Sequence, residues 1–375
     1  MLNTYHYYSL CMSNITDVDT NLAVNHTGYP KNAVFRNCLN SYFEIRGLAN
    51  PKETKKLCRV SEKIFPLMSD SLRRLSKYTA GGRIRFKTNS PYIIIEVELM
   101  SELCLLQHMP ATGTASVDVF TGSSKNCKFR QTIICQNQLK YGNICNLKTE
   151  DNGILEDITL NLPLYNGVNN LYIGLKEGSI IEAPLPYAID KPVVYYGSSI
   201  TQGGCASRPS NSYSSIVSRW LDCDHVNLGF SGNGFGEFFM AEYIAGLDMS
   251  ACVIDAFNIK EEKHEKELER IKTVHEPFFK TIRTRHPDLP IIIISSPYVI
   301  PDKPEHEEYR TIIKQTYDNA VKAGDRNTYY IDGKKVYGSK DIDACTVDGT
   351  HPNDFGFMRM AETIYPVLKK ALKVT

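Results

Sequence analysis

No stretch of this sequence approaches the roughly 18 consecutive apolar residues that a membrane-crossing helix requires, and neither sign of charge is in excess. With 43 Lys and Arg against 42 Asp and Glu, the chain lacks the basic surplus that a nucleic-acid footprint or an anionic membrane surface draws on. Neither is expected as a partner. Metal-holding spacings are missing too: the 9 histidines include no His-Glu-x-x-His and the 11 cysteines no Cys-x-x-Cys, so no metal and no other cofactor is expected. An odd number of cysteines, several inside apolar runs (Cys104, Cys135, Cys252), reads as reduced core residues, with a disulfide among Cys127, Cys135 and Cys145 left open. The first ten residues lack the basic and apolar regions of a secretory signal. Taken as the natural start, they imply a cytoplasmic protein, or a periplasmic or secreted one if the N-terminus was trimmed. Nothing in the sequence sets an oligomeric state.

What is present divides in two. A chain of 375 residues is expected to form about two domains. Residues 1–32 are polar and aperiodic, a leader or an edge segment. Residues 33–187 alternate apolar with polar in short runs, at Gly82–Thr88, Tyr92–Leu99, Ala115–Phe120, Gln131–Cys135, Asp157–Leu162 and Asn170–Leu175, as the strands of an all-β sandwich do. Pro66–Tyr78 breaks that pattern as a helical or irregular insert. The proline-bearing stretch 180–192 is the expected linker.

From residue 188 to 375 the period changes. Strand cores at Val193–Gly197, His225–Gly229, Ala251–Ala256, Ile291–Ser296 and Tyr329–Gly333 alternate with helical patterns at Asn211–Leu221, Phe235–Ala245, Lys263–Arg285, Glu305–Ala323 and Phe355–Leu372. Five βα units in succession demand a parallel sheet covered by helices on both faces. Any site would be assembled in the loops at the carboxyl edge of its strands.

Those loops hold a constellation. Gly197-Ser-Ser-Ile-Thr201 turns from the first strand into a helix, with Ser199 the candidate nucleophile and Ser198 its rival. Asp348-Gly-Thr-His351 precedes the last helix. It supplies a candidate general base, His351, and a carboxylate, Asp348, to orient it, while Asp354 is expected to cap that helix. Gly232 and Asn258, in the second and third loops, are candidate oxyanion donors through a backbone N–H and a side-chain amide, or simply residues of tight turns. Arg208 either lines the pocket and binds a polar leaving group or is a solvated loop arginine. Cys205 lies beyond the turn with no obvious base, which disfavours a thiol enzyme.

In this order of loops the second half resembles the SGNH hydrolases, the GDSL esterase and lipase superfamily, whose blocks are marked by Ser, Gly, Asn and His. Ser198 stands where many members carry Asp, and the usual Gly-x-Asn-Asp of the third block is absent around Asn258. Leu164-Tyr-Asn-Gly-Val168, Tyr196–Pro209 and Val226–Gly234 resemble the bacterial branch with an N-terminal jelly-roll-like domain marked by Gly-x-Asp-Leu-Tyr. Ser116-Val-Asp-Val-Phe120 keeps only that motif's aspartate. The resemblance implies a three-layer α/β/α flavodoxin-like domain with a five-stranded parallel sheet, preceded by the sandwich. It also implies a serine esterase acting on a small acyl, typically acetyl, ester of a carbohydrate, with Ser199 N–H, Gly232 N–H and Asn258 holding the oxyanion. The sandwich would brace the site or give it a wall. The competing expectation is a carbohydrate-binding protein on the same fold that has lost turnover.

Overall fold

A computed structural model describes residues 28–101, 106–123, 126–135, 138–147, 153–257, 264–297 and 302–374. The first half is built of antiparallel strands. They are β1 (Ala33–Asn37), β2 (Glu44–Arg46), β3 (Arg83–Thr88), β4 (Tyr92–Leu99), β5 (Val117–Thr121), β6 (Lys128–Ile133), β7 (Lys140–Asn146), β8 (Glu156–Asn161), β9 (Val168–Lys176) and β10 (Ile181–Glu182). One sheet runs β1-β9-β4-β7 and the other β10-β3-β8-β5-β6, with β2 paired to β3. Their inward residues, among them Ile84, Phe86, Ile93, Ile95, Val117, Ile158 and Leu171, form one buried core. Each such side chain withdrawn from water contributes about 1.5–3 kcal/mol before entropy is counted, which is how alternation specifies which face turns inward. The stretch expected to be only a linker holds β10 and the start of the next strand.

The second half is a parallel sheet of β11 (Ile189–Gly197), β12 (Cys223–Gly229), β13 (Ala251–Ile254), β14 (Ile291–Ile294) and β15 (Thr328–Ile331), in the order β12-β11-β13-β14-β15. Strands β13 and β14 are buried at every residue, as strands covered on both faces must be. Alternate residues of β11 feed opposite cores: Val194 and Tyr196 one, Val193 and Tyr195 the other. Besides two one-turn helices in the first half, Pro51–Thr54 and Ala111–Thr114, the α-helices among the described residues are α1 (Asp70–Ser76), α2 (Ser199–Gln202), α3 (Tyr213–Leu221), α4 (Phe238–Ala245), α5 (His264–Arg285), α6 (Pro304–Lys322) and α7 (Asp354–Ala371). Helices α4, α5 and α6 cover the first of these faces, and α3 and α7 the other. The chain order of this sheet reverses direction beside β11, and the carboxyl ends at such a switch point open a crevice.

The insert between β2 and β3 leaves Leu57 in the sandwich core but reaches out of it. Cys58, Val60, Met68, Leu72 and Leu75 lie in the same core as α4 and α5. Buried Arg59 crosses with them, its guanidinium donating to the carbonyls of Leu75, Asn227 and Gly229 and lying 4.6 Å from the centre of the Phe230 ring. The two halves are therefore joined by shared core as well as by the short connection between β10 and β11.

Candidate active site

The site starts at the end of β11. Ser198 is the N-cap of α2, and its hydroxyl accepts the Ile200 N–H at 3.3 Å. Ser199 is the first residue of that helix and 8% exposed, and its Oγ lies 3.0 Å from Nε2 of His351. Nδ1 of the same ring lies 2.7 Å from Oδ2 of Asp348. The other carboxylate oxygen, Oδ1, accepts the backbone N–H groups of Thr350 (3.0 Å) and His351 (2.7 Å). Partial burial pushes the Asp348 carboxyl up, but these N–H donors and the imidazole outweigh it and hold the group below its usual range. Residues 152 positions apart thus form one chain of hydrogen bonds, from hydroxyl to imidazole to carboxylate.

The turn after β11 is fixed from beneath. Asp255, buried at the end of β13, accepts from Thr201 Oγ1 (2.7 Å), Tyr213 Oη (2.8 Å) and the Ala256 N–H (2.8 Å). Asn227 on β12 donates to the Thr201 carbonyl at 2.7 Å. Gln202 ties the neighbouring loop down, its Oε1 accepting the Ser231 N–H at 2.9 Å while its amide donates to the Leu164 carbonyl at 3.0 Å. Gly229 has no alternative here, since a Cβ would sit 2.1 Å from the Gln202 nitrogen. Gly232 follows at φ +63°, with open space where its side chain would be. Its backbone is left accessible beside the loop that Gln202 anchors. Asn258 lies outside the described residues.

The structure places one of the named residues against the sandwich and corrects the reading of another. Arg208 packs on the first half: its guanidinium lies 3.8 Å from the centre of the Phe129 ring on β6, and its Nε donates to Asn211 Oδ1 at 2.9 Å. A planar cation stacks well on an aromatic face, so the residue fastens the post-nucleophile loop to the sandwich. Asp354 does not cap α7. Asn353 does, accepting the Gly356 N–H at 3.0 Å, and Asp354 instead accepts from Ser207 N–H (2.8 Å), Ser207 Oγ and Asn211 Nδ2 (2.8 Å).

The sandwich both braces the site and gives it a wall. Asp118 on β5, fully buried, accepts the Ser210 N–H at 2.8 Å and the Asn161 amide at 2.7 Å, so the one aspartate kept from the Gly-x-Asp-Leu-Tyr pattern grips the loop after the nucleophile. Burial raises its pKa from the ordinary carboxylate value. Tyr165, between β8 and β9, donates its hydroxyl to the Ser199 carbonyl at 3.1 Å. His108, on the loop between β4 and β5, faces the catalytic candidate directly, its ring centre 5.4 Å from that of His351. Sequence reasoning passed over His108 because a polar loop histidine carries no period. Tyr165 and Gln202 lay within phrases already singled out, without a role to assign them.

Comparison with known proteins agrees with this architecture. Residues 190–369 match the GDSL-like lipase/acylhydrolase family, and residues 33–181 match the N-terminal domain of SGNH-hydrolase-type esterases. A solved structure from Bacteroides ovatus ATCC 8483, described as that of a GDSL-like lipase, is 28% identical; the match covers 92% of this chain and 99% of that one, with a TM-score of 0.80. The salicylyl-acyltransferase of a tetracycline biosynthetic pathway is 20% identical over 92% and 99% of the two chains, TM-score 0.73. An acetyl xylan esterase from the rumen bacterium Butyrivibrio proteoclasticus is 12% identical over 91% and 99%, TM-score 0.58. The last two share the fold. No curated protein sequence matches the chain. With its two halves matched by the two family models, the chain belongs to the SGNH, or GDSL-like, hydrolases that carry a GxDLY N-terminal domain, and it is a carboxylic ester hydrolase.

Proposed function

We propose that the protein is a serine esterase that removes a small acyl group, acetyl foremost, from a carbohydrate alcohol through a Ser199–His351–Asp348 triad. The observation that carries this reading is the unbroken run of hydrogen bonds, 3.0 Å from Oγ to Nε2 and 2.7 Å from Nδ1 to the carboxylate. A serine hydroxyl is a poor nucleophile until a neighbour takes its proton. The Asp348 contact supports that role for His351, because it keeps the proton on Nδ1 and leaves Nε2 free to accept. Ser199 Oγ then attacks the acyl carbonyl while its proton passes to Nε2. The oxyanion is met by the N–H groups of Ser199 and Gly232, with Asn258 the third donor we assign. Collapse expels the alcohol, which takes the proton back from Nε2. Water enters, loses a proton to the same nitrogen, and releases the acid from Ser199.

The choice of acetyl is supported by the fold shared with the acetyl xylan esterase. The choice of a sugar rests on the fold shared with the acetyl xylan esterase and on the polar, exposed His108 at the wall. The test is hydrolysis of p-nitrophenyl acetate and of acetylated xylose and glucose, by wild type and by Ser199→Ala. Turnover that vanishes in the variant and favours acetyl over octanoyl esters is expected. Equal background rates in both proteins would instead favour a binding protein without turnover.

A further inference from the structure

The sequence offers no metal-ligand spacing, yet the fold gathers three metal-binding side chains from distant segments. His108 on the sandwich loop, Cys205 beyond α2 and His351 each present a donor atom, all within 4.8 Å of one another. Asp348 occupies Nδ1 of His351, which fixes the ring and leaves Nε2 as the nitrogen a cation would take. A carboxylate on the far nitrogen is the usual way a metal-bound histidine is oriented. Two imidazoles and a thiol suit zinc, whereas magnesium and calcium require oxygen donors. With bond lengths of about 2.1 Å to nitrogen and 2.3 Å to sulfur, tetrahedral ligand atoms sit roughly 3.3–3.7 Å apart. Closing the present cluster needs side-chain shifts of about 1 Å, which exposed His108 can make.

We propose that His108, Cys205 and His351 form an inhibitory site for a divalent cation, zinc by preference, that occupies the nitrogen on which Ser199 depends. The cation bonds to Sγ in place of hydrogen, the thiol proton leaves to solvent, and a fourth position stays open to water. Because His108 belongs to the sandwich and the other two ligands to the α/β half, the bound ion would also clamp the wall onto the site. The inhibition, though not the binding, rests on His351 being the base.

The experiment has two arms, both on the full chain stripped of metal. Titration with Co²⁺ is expected to give visible d–d bands and a near-ultraviolet thiolate-to-cobalt band that saturate at one ion per chain. The thiolate band should vanish in Cys205→Ala and persist in Ser199→Ala, whose lack of turnover separates the fate of this site from that of the esterase reading. In the second arm Zn²⁺ should inhibit p-nitrophenyl acetate hydrolysis reversibly with EDTA. Its half-inhibiting concentration should rise by about tenfold or more in His108→Ala, compared with that variant's own metal-free rate. Cobalt spectra without a thiolate band would overturn the proposal. So would cobalt binding with no zinc inhibition, or zinc inhibition unchanged in both the His108 and Cys205 variants.

Discussion

Replacing Asp348 by Asn tests the proposed triad more sharply than removing it. The carboxylate has two jobs, accepting Nδ1–H of His351 at 2.7 Å with one oxygen and two backbone N–H groups of its own loop with the other. Asparagine can keep the second job through its carbonyl, so the loop should hold. It then turns its NH₂ toward Nδ1, which makes that nitrogen an acceptor and moves the ring proton to Nε2, where it blocks uptake of the Ser199 proton. In the serine proteases the same exchange of carboxylate for amide lowers kcat about 10⁴-fold, equivalent to about 5.4 kcal/mol in the barrier. Asp348→Ala should do less harm, a loss of about 10²–10³-fold, because the Asp348 side chain is 38% exposed and water can replace it at Nδ1–H. The assay is kcat for p-nitrophenyl acetate at neutral pH, with circular dichroism and thermal unfolding as checks on folding. An Asn variant within about tenfold of wild-type kcat would refute the assignment of Asp348 as the orienting carboxylate.

Other expectations follow from the same structure. Buried His275, whose Nδ1 lies 2.8 Å from Thr316 Oγ1, is lowered by desolvation from 6.5 to about 4. The unfolded chain therefore binds the extra proton first, and stability present above about pH 6.5 is lost as pH falls toward 4, by roughly 3 kcal/mol. His225, lowered by burial and then by Arg83, acts in the same direction. Denaturant unfolding from pH 7 to 4 should show that loss, and a His275→Gln slope equal to wild type would contradict it. Gly113→Ala would put a methyl 1.9 Å from the Ala206 carbonyl, forcing the sandwich away from the nucleophile loop at a cost of about 1–3 kcal/mol. Urea midpoints and esterase rates should both fall, and an unchanged rate would mean the sandwich does not brace the site. Asn258→Ala should raise the barrier by about 2.7–4 kcal/mol if its amide holds the oxyanion, and a wild-type kcat would return it to a turn residue.

Much of the fold was legible because its signals are periodic. The switch from alternating runs to βα units gave the five strands and the five longer helices of the second half to within a few residues, but not the one-turn helix Ser199–Gln202, and Ser199, Asp348 and His351 lie at or beside the polar loops such a topology sends to one edge. What escaped had no local signature. Strands β2 and β7 are short or interrupted by glycine and asparagine, and Pro192 concealed the true start of β11 at Ile189. Arg59 has no sequence signal of burial, because the carbonyls that hold it come from Leu75 and, far along the chain, from Asn227 and Gly229. The stacking of Arg208 was hidden for the same reason, since nothing in its neighbours announces Phe129 of the other half. Asp354 was read as a cap because aspartates at helix starts commonly are, while Asn353 had the geometry.

The central claim is that His351 activates Ser199, and covalent trapping examines it directly. A small alkyl p-nitrophenyl phosphonate, followed by peptide mass mapping, should leave a single adduct on Ser199 in the wild type, formed orders of magnitude more slowly in His351→Ala. An adduct on another residue, or equal labelling rates in the two proteins, would contradict the account.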